Sequence, residues 1–278
     1  MKIIIDVPYK DDKKLSISGD DSDGILHHSK TTNSFSFYLQ KLVIDICLLY
    51  NSELTIINAG ANLGLVCLPI SLFCKKVLAY EPLPNTYHYL TNNIKNNNIL
   101  NIETFNCALS DCNKTLQMEP YGWDKTHMDS GHSVVIDNLY ENDNQQYIPK
   151  PETPTLFIDA KTIDSYNFDN IDILLLDTEG YEPYVIDGAK DTIAKCKPYI
   201  IIEHEIGHVK CRHMTSKSII NNIMMLGYKN VKIIIKKLNN NQNYSLLPLE
   251  YDGDFLSILK THACIDLLFI PENREEIV

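Results

Sequence analysis

The sequence predicts a single α/β domain. Its sheet is mostly parallel with an antiparallel last strand, helices lie on both faces, and a small β-hairpin is inserted. Three observations carry that prediction. Apolar, β-branched runs (LTIIN, KVLAY, IDILLLD, PYIIIEH) recur along the chain with helical patterns between them, which is the alternation that builds βαβ units. IDILLLD and PYIIIEH are nearly continuous apolar runs, as expected of strands covered on both faces. At 278 residues and 44% hydrophobic content, the chain has ample material for one sizeable core.

The elements follow in order. Residues 1–30 mix short strand-like pieces, KIIIDV and KLSIS, with an acidic turn, GDDSDG. From Ser34 to about Tyr50, the residues Phe35, Tyr38, Leu42, Ile46 and Leu49 recur at spacings of three and four, which predicts an amphipathic helix. LTIINAGANLG is a strand running into a glycine turn, and residues 63–73 read as a helix that Pro69 can kink. KVLAYEP (76–82) is the second strand; the helix after it puts Tyr87, Leu90 and Ile94 on one face. NIETFNCALSD (101–111) is a third strand entering a turn. KTLQM, SVVI and TLFIDA are the strand pieces of the insert, and ENDNQQYIPKPETP is linker-like. After IDILLLD (171–177) a helix carries Pro183 in its first turn, with Val185, Ile186, Ala189 and Ile193 as its stripe. PYIIIEH (198–204) precedes a helix at 216–226 that stops at Gly227. KNVKIIIKK and CIDLLFIP are the last strands.

The net charge of −11 disfavours nucleic acid, because an acidic protein gains nothing from counterion release. The N-terminal apolar stretch in MKIIIDVPYKDDKK is too short for a signal peptide. No run approaches the ~18 apolar residues of a membrane span. The expectation is a soluble cytoplasmic protein without a membrane partner. Eight cysteines form no C-x-x-C pair, and Cys47, Cys67, Cys74 and Cys107 lie in or beside apolar runs. They read as reduced, mostly buried thiols.

In open α/β sheets ligands bind outside the carboxyl ends of the strands. Those ends carry Asn58-Ala59-Gly60-Ala61-Asn62-Leu63-Gly64, Glu81-Pro82, Ala108-Leu109-Ser110-Asp111, Asp177-Thr178-Glu179-Gly180 and Glu203-His204. Glycines let the backbone approach a ligand, and a helix N-terminus favours a carboxylate or other negative group. Glu81 follows Gly60 by about 20 residues, the separation at which nucleotide-binding folds place an acid on the ribose hydroxyls. The turn lacks the middle glycine of G-x-G-x-x-G, which counts against NAD, and no P-loop is present. S-adenosylmethionine, with a ribose and a carboxylate but no phosphate, fits best.

NAGANLG, AYEPLPNTYHYLTNNIKNN, NCALSD, TIDSY, IDILLLDTEGYEPYVIDGAK and IIEH, in that order, resemble the motifs of FkbM-type S-adenosylmethionine-dependent methyltransferases. The resemblance covers about residues 54–205, with an echo in GDFLSI and DLLFIP. It implies a class I methyltransferase (Rossmann-like) sheet, S-adenosylmethionine as methyl donor, and O-methylation of a hydroxyl on a sugar, glycan or other small molecule. Two positions depart from the family pattern. Asn58 stands where an Asp is usual, and Leu175 where a Lys is common. Residues 1–53 become an N-terminal cap and helix, 54–111 the cofactor-binding half, 112–160 the β insert and 161–278 the acceptor half. The expected cofactor contacts are Asn58, Gly60, Ala61, Asn62, Gly64, Glu81, Pro82, Ala108, Leu109, Ser110 and Asp177.

A hydroxyl needs a base to take its proton. Asp177, Glu179 and His204 are the candidates; Asp177 alternatively holds the cofactor amine, and Glu179 alternatively complements a helix N-terminus. Trp123, His127 and His132 of the insert, with Tyr181 and His204, are the expected acceptor contacts. A divalent cation on Asp177, Glu203 and His204 is a further alternative. An inert binding module and a methyltransferase of a macromolecule are the competing functions. The string HEIGH, residues 204–208, matches the zinc-peptidase signature H-E-x-x-H. That signature requires a helix, whereas PYIIIE before it is a strand run and Gly207 lowers helix propensity.

Overall fold

An eight-stranded sheet organises the chain, with strands in the order β15-β14-β16-β13-β12-β3-β4-β5. In chain order, β1 (Lys2–Val7) and β2 (Lys10–Ser18) form an antiparallel hairpin, followed by α1 (Gly24–Thr32) and α2 (Phe37–Leu49). β3 (Thr55–Ala59), α3 (Cys67–Ser71), β4 (Lys76–Tyr80), α4 (Pro84–Asn96) and β5 (Ile102–Phe105) come next. Then follow β6 (Ala108–Leu109), β7 (Lys114–Glu119), β8 (Val134–Val135), β9 (Tyr140–Asn142), β10 (Gln145–Gln146) and β11 (Leu156–Lys161). The chain returns with β12 (Ile173–Leu176), α5 (Glu182–Asp187), α6 (Lys190–Cys196), β13 (Tyr199–Glu205) and α7 (Ser216–Met225). It ends in β14 (Tyr228–Lys236), β15 (Tyr244–Pro248) and β16 (Cys264–Pro271). The structure is a computed structural model. It describes residues 1–33, 35–119, 133–137, 140–142, 145–146, 155–205, 212, 214–236, 243–249, 264–274 and 277.

From β13 through β12, β3 and β4 to β5 every pairing is parallel, while β16 runs antiparallel to both β13 and β14. The parallel sheet with an antiparallel last strand is therefore as the sequence predicts; the edge strand β15 was not foreseen. The strand order reverses between β3 and β12, because the chain runs outward through β4 and β5 and then restarts on the other side. That is the switch point where such sheets open a ligand crevice. Asn58 pairs with Leu175 and Ala59 with Leu176, so Gly60 and Asp177 leave the sheet side by side. The Asp177 N–H donates to the Ala59 carbonyl at 3.1 Å.

Both faces of the sheet are covered, which is why its strands are apolar on both sides. Ile57, Leu174, Ile200 and Ile202 pack with Val185 of α5, Ile193 of α6 and Ile220 of α7. Ile56, Ile173 and Ile201 pack with Leu42 and Ile46 of α2, Leu68 of α3 and Leu90 of α4. Full burial of each such side chain contributes ~1.5–3 kcal/mol. The hairpin adds Ile5, Leu15 and Ile17 to the second cluster. It is held to α4 by amides: Asn93 and Asn97 each accept from and donate to the backbone of β2, at Ser18 and Ser16 respectively, over 2.7–2.9 Å.

Four local differences have physical reasons. Helix α1 was not foreseen; Asp23, read as part of an acidic turn, caps it by accepting from the Leu26 N–H at 3.0 Å. The helix expected over 63–73 is only α3, in keeping with Pro69, which brings no N–H. The helix expected after Asp177 is two, α5 and α6, separated at Gly188 and Ala189; the Asp164 carboxylate accepts from the Asp191 and Thr192 N–H groups and caps the second. The third strand divides into β5 and β6. β6 leaves for a second sheet, β6-β11-β7-β8, so the insert is more than a hairpin. Among the described residues no helix is long and apolar enough to cross a membrane.

Candidate active site

A cavity of about 270 Å³ opens at the switch point between β3 and β12. Its floor is the turn after β3. Gly60 and Ala61 both donate their N–H groups to the Tyr80 carbonyl, at 3.0 and 2.9 Å, pinning the turn to the end of β4. Gly60 has a left-handed φ of 78°, and a Cβ there would stand 1.8 Å from the Asp177 carbonyl oxygen. Only glycine lets the two strand ends lie this close. Gly64 (φ 90°) does not line the cavity; its Cβ would meet Leu68 of α3 at 2.2 Å, so it serves the packing of that helix.

Two polar groups face the cavity from this floor. Glu81 is buried, its Oε2 accepting from the Asn62 N–H and its Oε1 from the Leu83 N–H, each at 2.9 Å. Burial pushes its carboxyl up to about 7, against the pull of those two bonds. Asn58 is 2% exposed and its Oδ1 has no hydrogen-bond partner among the described residues. Leaving such an oxygen unsatisfied costs roughly 1–3 kcal/mol, which a ligand donor would offset. An amine or hydroxyl donor thus fits Asn58, and a hydroxyl pair fits the remaining lone pairs of Glu81. Ala61, Asn62, Pro82, Ala108 and Leu109 also line the cavity. Ser110 does not: its Oγ donates to Asp111 at 2.8 Å and lies 3.1 Å from the Tyr181 hydroxyl, and Tyr181 is the one that lines.

The other polar wall is acidic. Asp177, Glu179 and Glu203 are half-buried, and each can bring a carboxylate oxygen within 4.8 Å of the others. Glu179 is held in a left-handed backbone conformation, φ 53°. The charge of Asp177 and then burial raise Glu203, while burial and then the charge of Glu182 raise Asp177. Behind them Asp266 pairs with Glu203 across β13 and β16, and accepts from the Tyr38 hydroxyl at 2.5 Å. The three carboxylates are hard oxygen donors of the kind a divalent cation takes.

His204 is a correction. Successive side chains on a strand point to opposite faces. Glu203 and Glu205 line the cavity, so His204 turns away from it. It is 2% exposed, its Nε2 lies 2.7 Å from Ser216 Oγ at the start of α7, and burial pushes it down to about 4. It is placed neither to take an acceptor's proton nor to touch the acceptor, and Glu179 replaces it in the expected cation set. HEIGH does not start on a helix: His204 and Glu205 are strand residues. Trp123, His127, His132, His208, Cys211 and His213 lie outside the described residues.

Sequence reasoning missed several contributors. Glu205 could have been found from strand alternation with Glu203. Ile25, Phe35 and Leu39 line the cavity from the N-terminal segment; Phe35 and Leu39 had been assigned only to a helix. Met118, Ser133 and Val135 line it from the second sheet. Arg212, buried, donates to the carbonyls of Val135 (2.8 Å) and Asp137 (3.0 Å) and sits 5.0 Å over the Tyr181 ring, tying the second sheet to the DTEGY turn. No local motif announces that contact.

A parallel sheet reversing at the first strand, a glycine turn there, an acid on the next strand and an antiparallel last strand define a class I methyltransferase fold. A family model described as "Methyltransferase FkbM domain" matches residues 58–229, more than half of the chain. The chain belongs to that family. Among solved structures, a methyltransferase FkbM from Methylobacillus flagellatus KT aligns with a TM-score of 0.46 and 14% identity, over 78% of this chain and 44% of that one. The present chain therefore spans less than half of that protein's length. A TehB-like SAM-dependent methyltransferase from Corynebacterium glutamicum aligns at 0.42 and 11% identity, over 89% of this chain and 94% of that one. M. jannaschii TYW2 in complex with AdoMet aligns at 0.38 and 12%, over 92% and 80%. No curated protein matches the sequence.

Proposed function

We propose that the chain is an S-adenosylmethionine-dependent O-methyltransferase acting on a hydroxyl of a sugar, glycan or other small molecule. The observation that carries this reading is the pairing, within one cavity, of the unsatisfied Asn58 Oδ1 with the three carboxylates of Asp177, Glu179 and Glu203. The first suits the amine of a methionyl group and Glu81 suits ribose hydroxyls; the second suits an acceptor hydroxyl. Bound there, S-adenosylmethionine would supply a methyl group already activated on a sulfonium centre.

What remains for the protein is orientation and a proton. Holding two reactants in line is worth ~7–11 kcal/mol. The charge of Asp177 raises the affinity of Glu203 for a proton, while a hydrogen bond from Glu203 lowers that of Asp177, so the proton of the pair sits on Glu203 and Asp177 carries the ionised oxygen. The ionised oxygen takes the acceptor's proton, a step worth roughly 100- to 10,000-fold. The pair can do this without histidine.

Titration with S-adenosylhomocysteine should give one-to-one binding, and tritiated S-adenosylmethionine incubated with fractionated cell extract should label the small-molecule fraction. Absence of binding would sink the cofactor reading. Binding without label in any fraction would make the chain an inert module, and label confined to protein or RNA would move the acceptor to a macromolecule.

A further inference from the structure

The family match begins at residue 58, yet Ile25, Phe35 and Leu39, all upstream of it, line the cavity. Phe35 lies in the short connection between α1 and α2. Two non-glycine residues of that connection, Asn33 and Ser36, adopt left-handed φ values of 53° and 43°. L-residues pay for such conformations, and they persist only where surrounding contacts over-determine them. Two contacts do so here. The Asn33 carbonyl accepts from the Asp6 N–H of the hairpin at 3.0 Å. The fully buried Gln40 donates its Nε2 to the Phe35 carbonyl at 2.7 Å and to the Leu65 carbonyl at 3.0 Å. Leu65 follows the first glycine turn and itself lines the cavity. One amide thus fixes Phe35 relative to the turn that forms the cavity floor.

The same helix is anchored at the acidic wall. Tyr38, three residues after Phe35, bonds Asp266, and Asp266 pairs with Glu203. Phe35 and Leu39 therefore enter the cavity beside the strands that carry the carboxylates. An aromatic ring with aliphatic neighbours on one side and carboxylates on the other suits a molecule with an apolar ring face and a hydroxyl edge. A pyranose has both.

We propose that Phe35 is the specificity-determining residue for the acceptor. It packs against the acceptor's apolar ring face while the carboxylates receive its hydroxyls, and Gln40 is the positioning residue that sets the ring's location. This rests on the methyl-transfer reading given above.

The test compares wild type with Phe35→Ala, Phe35→Leu and Gln40→Leu. Each is titrated with S-adenosylhomocysteine, then assayed with tritiated S-adenosylmethionine on a set of methyl pyranosides and on the small-molecule fraction of cell extract. Phe35→Leu keeps most of the apolar volume and covers the case in which the alanine variant fails to fold, which a thermal melt reports. Expected are an S-adenosylhomocysteine Kd within threefold of wild type for all three. Phe35→Ala should raise the acceptor KM at least tenfold with kcat changed less than threefold. Phe35→Leu should fall between the two, and Gln40→Leu should move KM in the same direction. A changed order of preference among the acceptors also supports the proposal. An unchanged KM and an unchanged order overturn it. So does a tenfold loss of S-adenosylhomocysteine affinity in the leucine variant, which would assign Phe35 to the cofactor. If wild type binds S-adenosylhomocysteine but labels neither pool, the proposal fails together with the small-molecule acceptor; if it does not bind, the methyl-transfer reading has failed first.

Discussion

The cavity has two parts built from different material. Around Asn58, Gly60 and Glu81 it is made by backbone: parallel register between β3 and β12, two N–H groups on the Tyr80 carbonyl, and two more on the Glu81 carboxylate. Around Ile25, Phe35 and Leu39 it is made by side chains from a segment before the central sheet begins. A backbone-built part has little tolerance, because a single added carbon displaces a strand. A side-chain-built part can change its lining while the sheet stays where it is. On the proposed reading, the backbone-built part holds the cofactor and the side-chain-built part meets the acceptor.

The sharpest way to break this contrast is Gly60→Ala. Left-handed φ costs an L-residue roughly 1–2 kcal/mol, and overpacking against the Asp177 carbonyl adds about 1–3 kcal/mol. A urea melt should show a loss of about 2–5 kcal/mol together with loss of S-adenosylhomocysteine binding; a variant within about 1 kcal/mol of wild type would mean the turn is not rigid. Asp177→Asn comes next. Turnover should fall at least ~100-fold while S-adenosylhomocysteine still binds. Loss of binding instead would transfer Asp177 to the cofactor end.

The two faces of β13 provide a third comparison, acid on one side and His204 on the other. The buried imidazole, pushed down to about 4 from an ordinary value of 6.5, stays neutral in the folded chain while the unfolded chain protonates. Its effect on stability is therefore absent above about pH 6.5 and destabilises progressively as pH falls towards 4, by about 3 kcal/mol in full and roughly 2 kcal/mol by pH 5. His204→Gln should remove that slope, measured as the difference between wild type and variant in urea melts at pH 7.5 and pH 5. If the two melts shift in parallel, His204 is not buried as a neutral ring. The smallest effect is expected at Asn58→Leu. It removes an unsatisfied oxygen, so the ligand-free chain should be as stable as wild type or slightly more so. S-adenosylhomocysteine should bind about tenfold more weakly, equivalent to ~1.4 kcal/mol. Unchanged affinity would show that no ligand group reaches Asn58.

The backbone-built part was legible in the sequence because its signals are local. A β-branched run followed by glycines, and an acid about 20 residues on, need only strand geometry to become a site. Asp177-Thr178-Glu179-Gly180, at the end of the IDILLLD run, marked Asp177 and Glu179 in the same way. The side-chain-built part was not legible, since nothing in FSFYLQ says that Gln40 joins Phe35 to Leu65 or that Tyr38 meets Asp266. His204 was misplaced for a different reason. The end of a strand was located correctly, but which neighbour faces the cavity depends on parity, and Glu203 and Glu205 took the inward places. Helix α1 was within reach, because Asp23 is an ordinary N-cap residue; the run of acids around it looked more like a turn.

The amide contacts between α4 and β2 have a consequence for self-association. A hairpin strand at the rim of a domain leaves peptide groups that another chain can pair with. At Ser16 and Ser18 both the N–H and the C=O are instead taken by the Oδ1 and Nδ2 of Asn97 and Asn93. An asparagine amide has the same donor and acceptor arrangement as a peptide unit, so the helix imitates the strand that would otherwise be recruited. Conversion of either asparagine to aspartate, by mutation or by slow deamidation, would exchange the donor for a second acceptor. It would set a carboxylate against a carbonyl, and open that stretch of β2 to a neighbouring molecule.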